Sequence, residues 1–137
     1  MDSCSWIYLH KIKALQSFRD NFTVLVTSKA ATETGLCAAG MQILASAEKL
    51  SADADFYRHC EKNTFTAVTD DKKIILRLRK AGLTYYNSWM VLLILLDQDL
   101  IGDYHSLRDS LLKIARYSGQ VNQYAKDLEE KLLRAKN

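Results

Sequence analysis

The sequence holds three histidines and three cysteines, and those are where ligand or nucleophile chemistry is first sought. His59 follows Asp55 by four residues, and His105 precedes Asp109 by four. Imidazole and carboxylate at i,i+4 share a helix face, so two such pairs on facing helices can bind a divalent metal. Both pairs fall on polar helix faces, beside Arg58 and Lys62 in one case and Lys113 and Arg116 in the other. Surface ion pairing accounts for them without a metal. His59 and Cys60 are chain neighbours about 100° apart on a helix, so they do not form a thiol–imidazole couple. Cys60 lies on an apolar face, where a thiol is a small core residue. No G-x-S-x-G, H-E-x-x-H, P-loop or G-x-G-x-x-G pattern occurs. No catalytic residue, metal ligand or cofactor is therefore expected from these residues.

The sharpest local signal is cationic. Lys72, Lys73, Arg77, Arg79 and Lys80 sweep one side of a single amphipathic helix, opposite Ile74, Leu78 and Ala81. Such a face can lie along phosphates, each contact adding salt-dependent affinity. Leu76 sits within it, which is unusual for a purely solvated surface. A second signal is aromatic: Tyr85, Tyr86 and Trp89 open the most apolar stretch of the chain, and Trp6 and Leu9 lie off the main stripe of the first helix. Tyrosine and tryptophan are enriched at protein interfaces, so these five residues form a candidate partner surface.

Whatever positions these groups must be built from 137 residues, the size of one domain, with 48% hydrophobic and 26% charged side chains. The formal net charge of +3 permits an anionic partner without demanding one. Cys4, Cys37 and Cys60 are odd in number and widely spaced, unlike a secreted disulfide framework. No basic lead with a long apolar run marks a signal peptide, and the apolar run over residues 89–96 is too short for a membrane span. These features point to an intracellular, cytoplasmic, reducing setting.

Hydrophobic spacing near 3.6 residues divides the chain into seven helical segments. They cover roughly 4–26, 34–50, 51–63, 70–82, 84–102, 103–119 and 121–135. The fold class expected is all-α: one compact domain, residues 1–137, of six or seven helices around a central hydrophobic helix at 83–101. Two β-branched stretches, 22–27 and 64–69, resist the scheme. The first continues a helical stripe and is read as helix; the second is read as a loop, with a hairpin joining the two as the alternative.

Apolar residues outside the main stripes (Trp6, Leu9, Val24, Leu76, Leu112 and Leu133) exceed what one small core is expected to bury. The functional expectation is a non-catalytic interaction or adaptor protein, forming a homo-oligomer or part of a larger complex. The alternatives are a nucleic-acid or other polyanion binder using the helix at 70–81, and a helical enzyme or metal protein.

Overall fold

The computed structural model describes residues 1–63 and 65–136. Helices dominate: α1 (Ser3–Lys11), α2 (Leu15–Asn21), α3 (Ser28–Thr34), α4 (Ala52–Asn63), α5 (Lys72–Lys80), α6 (Ser88–Asp97), α7 (Tyr104–Ile114) and α8 (Gly119–Lys136). Among the described residues four short strands stand between them: β1 (Leu25–Thr27), β2 (Gln42–Leu44), β3 (Ala67–Val68) and β4 (Tyr85–Tyr86).

The strands pair in parallel, β1 with β2 and β3 with β4. Each pair is a β-α-β unit, with α3 crossing over in one and α5 in the other. Residues 1–2 lie between the pairs. The Met1 α-ammonium donates to the Leu25 carbonyl at 2.8 Å, and the Asp2 N–H donates to the Val68 carbonyl at 2.9 Å. The lateral order is thus β2, β1, residues 1–2, β3, β4. Counted along the chain this is 3-2-1-4-5, the order of a doubly wound parallel sheet.

Ala67 and Val68 are adjacent in β3 and point to opposite faces of the ladder. They belong to separate apolar clusters. One gathers Phe56, Tyr57, Cys60, Ile74 and Leu78 from α4 and α5. The other gathers Trp6 and Leu9 of α1, Trp89 to Leu96 positions of α6, Leu111 of α7 and Ala125 of α8. Short strands therefore separate two helical layers.

This arrangement corrects the expectation of helices packed only on helices. The stretch 22–27 is not helical at its end: its β-branched residues extend as β1, after the helical stripe has already broken at Lys13, which takes a left-handed φ of 63°. The stretch 64–69 contributes β3, with Thr64 outside the described residues. No hairpin joins them, since each pairs with a later strand instead. The helix expected over 34–50 is absent too. Gly35 closes α3 with a φ of 65°, Gly40 turns the chain again at 80°, and β2 follows.

Candidate active site at the strand ends

Helix α1 is capped by Asp2, α3 by Thr27, α5 by Asp71 and α6 by Asn87, each side chain accepting a backbone N–H of its own helix. All four caps stand where an extended segment hands over to a helix. The change in direction of the strand order falls between residues 1–2 and β3, and doubly wound sheets bind ligands in the crevice at that switch point. Asp2 and Asp70 stand there.

Ser5 links the two carboxylates. Its N–H donates to Asp2 Oδ1 at 2.9 Å, and its hydroxyl donates to Asp70 Oδ2 at 2.6 Å. Thr69 Oγ1 donates to Asp2 Oδ2 at 2.5 Å. Asp70 also accepts the Tyr117 hydroxyl at 2.7 Å, the Ser88 N–H at 3.2 Å and the Ser88 hydroxyl. Hydroxyl and amide dipoles hold both carboxylates in place. Among the described residues neither forms an ion pair with a lysine, arginine or histidine side chain.

More acids surround this pair. Glu33 of α3 accepts the Ser3 hydroxyl at 2.8 Å. Burial, together with the nearby Asp71 and Glu33 charges, raises the Asp53 carboxyl above its usual range. Asp53 shares a small pocket with Asp2, Ser3 and Thr27, where the starts of α1, α3 and α4 meet.

Asp2 shows the electrostatic consequence. It is 6% exposed, and burial pushes its pKa from 3.8 to about 6, opposed by its hydrogen bonds and reinforced by Asp70. Burial and the Asp70 charge likewise hold the Tyr117 hydroxyl protonated far above its ordinary range, so it remains a donor. A concentration of negative charge fixed without a side-chain countercharge suits a divalent cation. As the structure stands, no three His, Cys, Asp or Glu side chains among the described residues converge as a metal cage. A magnesium-type ion does not require one: it keeps several waters and takes one or two carboxylates plus substrate phosphates.

The residues singled out in the sequence distribute differently. Lys72, Lys73, Arg77, Arg79 and Lys80 are all exposed on α5, whose first turn follows Asp70 and Asp71 directly. Arg77 stacks over the Tyr57 ring at 3.8 Å, so that cation is partly engaged. The aromatic surface does not assemble: Trp6 and Leu9 are fully buried and Trp89 is 1% exposed, which leaves half-buried Tyr85 and exposed Tyr86. Val24 is also buried, while Leu76 and Leu112 are exposed.

The Asp55–His59 pair is formed, 3.9 Å apart, but Asp55 is completely buried rather than superficial. It accepts the Ala47 N–H at 3.0 Å and Arg58 at 3.1 Å, tying α4 to the loop after β2. His105 packs edge-on against Tyr104, and Asp109 pairs with Arg108 instead. Cys60 is buried and its thiol is pushed up to about 11 by desolvation, an inert core group.

Asp2, Ser5, Asp70, Ser88 and Tyr117 form the site that residue spacing did not bring together. One signal was available: the β-branched run over 66–69 ends abruptly in Asp70 and Asp71, as a strand does when it delivers acids to a sheet edge. No protein-family model, curated protein or solved structure matches the chain.

Proposed function

We propose that the protein is a divalent-cation-dependent hydrolase of phosphodiesters, acting on a nucleic-acid strand at the Asp2–Asp70 site. The observation that carries the reading is the meeting of two carboxylates, 68 positions apart in sequence, at the switch point of a doubly wound ladder. Ser5, Thr69, Ser88 and Tyr117 orient the carboxylate oxygens, and a cation would enter by taking the place of one of the hydroxyl donors that now fill the acceptor sites of Asp70. A divalent cation held there supplies Lewis-acid polarisation of a phosphate and a water activated near neutral pH. The exposed lysines of α5 extend from the site and offer a track for the phosphates on either side of the cleaved bond.

Hydrolysis of end-labelled single-stranded RNA and DNA, with magnesium or manganese against a chelator, tests the reading. Asp70→Asn is expected to remove a cation-dependent cleavage while leaving the circular dichroism spectrum unchanged. Absence of cleavage of either nucleic acid at millimolar manganese, together with no heat of cation binding by calorimetry, would sink it.

A second reading, association with another protein or another copy, is supported by large apolar side chains left in solvent: Ile43, Leu76 and Tyr124 are each more than half exposed. Light scattering that finds a strict monomer at high micromolar concentration ends the self-association form of it.

A further inference from the structure

Asp70 holds more hydrogen-bond donors than a carboxylate can keep once a cation binds it. Oδ2 accepts the Ser5 hydroxyl at 2.6 Å and the Ser88 hydroxyl, whereas the hydroxyl on Oδ1 is that of Tyr117, at 2.7 Å. The Ser88 N–H is shared, 3.2 Å from each oxygen. A carboxylate offers about two acceptor positions per oxygen. Two hydroxyls therefore fill Oδ2, and the departure of one opens Oδ1.

These hydroxyls stand on different kinds of scaffold. Ser5 and Ser88 are fully buried, in the first turns of α1 and α6. A hydroxyl that turns away from Asp70 there gives up a charge-assisted hydrogen bond with no solvent to replace it. Tyr117 is half-buried and lies in residues 115–118, the connection between the end of α7 at Ile114 and the start of α8 at Gly119. Arg116 and Ser118 on either side of it are exposed. Its ring packs on Trp89, with centroids 5.9 Å apart and planes tilted by 42°. The Trp89 backbone lends the phenolic oxygen a further hydrogen bond, which a water entering the site can take over. Tyr117 can thus exchange the carboxylate for solvent without moving a helix.

We infer, on the reading that a cation binds here, that Tyr117 is its built-in competitor: the phenolic hydroxyl occupies the Oδ1 position that the ion takes, and binding displaces the 115–118 connection. A hydroxyl that merely positioned Asp70 for the ion would weaken binding on its removal. A competing one strengthens it.

Isothermal titration calorimetry with manganese, on the full chain, reads that sign. Tyr117→Phe keeps a ring against Trp89 and removes the hydroxyl, and it is expected to lower the manganese Kd about tenfold. Ser5→Ala, which removes a fixed donor, is expected to leave the Kd unchanged or raise it. In the unsubstituted protein, saturating manganese is expected to speed amide exchange over residues 115–122, since the displaced connection loses its tether to Asp70. An unchanged or higher Kd in Tyr117→Phe, with manganese bound by the parent, overturns the competitor and leaves the cation site in place. A larger gain in affinity from Ser5→Ala than from Tyr117→Phe overturns it too, because Oδ2 would then be the oxygen that opens. So does exchange over 115–122 that slows or stays the same. No heat from either the parent or Tyr117→Phe at millimolar manganese removes the cation site itself, and the competitor with it.

Discussion

Two of the buried polar networks among the described residues are built on opposite principles. In the first, Asp2 and Asp70 accept hydrogen bonds from Ser5, Thr69, Ser88 and Tyr117, and no basic side chain answers their charge. In the second, Trp89 Nε1 donates to the Tyr104 hydroxyl at 2.9 Å, and that hydroxyl donates to Glu129 at 2.8 Å. Arg108 then reaches the other Glu129 oxygen at 2.5 Å. Here the carboxylate has its countercharge, and the network pins α6, α7 and α8 together. A closed network is structural. The other has no basic side chain to answer it, and it is there that the proposed function places a cation.

The contrast makes its strongest prediction at the closed network. Glu129→Ala leaves Arg108 and the Tyr104 hydroxyl without an acceptor, and removing one partner of a buried pair costs about 3–5 kcal/mol. Urea unfolding is expected to show a loss near the lower end of that range, because Arg108 retains Asp109. Cleavage per folded molecule should be unchanged.

At the open network the same kind of change moves activity instead. Asp70→Asn is expected to lower cation-dependent cleavage at least about 100-fold, roughly 2.7 kcal/mol of transition-state stabilisation. Its unfolding midpoint should stay close to the parent's. A large loss of stability without a specific loss of activity would merge the two networks into one structural class.

Asp2→Asn sharpens the contrast in sign. Because the folded-state pKa is raised from 3.8 to about 6, the native state binds a proton more readily than the unfolded chain between those values. Stability therefore falls as pH rises through that window, and above about pH 6 the full cost is present. The gap corresponds to roughly 3 kcal/mol. The asparagine variant should be more stable than the parent by about 2 kcal/mol at pH 7.5, with the advantage gone below pH 4, by urea titrations across pH. Greater stability with no activity is the mark of a site whose charge is kept for function.

Smaller effects follow for the cation and the basic helix. Magnesium or manganese at ten times its Kd should stabilise the parent by about 1.4 kcal/mol and leave Asp70→Asn unmoved, as read from thermal melts. Charge reversal at Arg77 and Lys80 should weaken nucleic-acid binding several-fold at low salt and flatten its salt dependence. It should not touch the chemistry once substrate is saturating.

Much of the helical layer was legible because its causes are local. Gly82 stops α5, with a φ of 68°, where the spacing places the end of the helix. The apolar run inside α6 is buried on nearly every side as its composition implies, although the helix covers only Ser88–Asp97 of the expected 84–102. The helix expected over 121–135 is present as α8, but Gly119 opens it instead of closing the helix before, since α7 already ends at Ile114. The strands did not, because two or three residues are too few to display a period, and parallel partners lie 17 or 18 positions away. Off-stripe Trp6 and Leu9 looked like surplus surface only while α1 was given a single buried face. They pack into the same cluster as Trp89, Leu92 and Leu111, because α1 lies against several neighbours at once.

Composition and spacing, then, determined a mostly helical chain, the stop at Gly82 and the basic face of α5, since each depends on neighbours within a turn or two. Which acids meet was decided only in three dimensions. Asp2 and Asp70 look like ordinary helix-start residues in the sequence, and they become a pair when strands too short to announce themselves align and bring their ends together. A local pattern records what a residue's own segment requires; the charge it will face is set by whichever distant segment packs beside it.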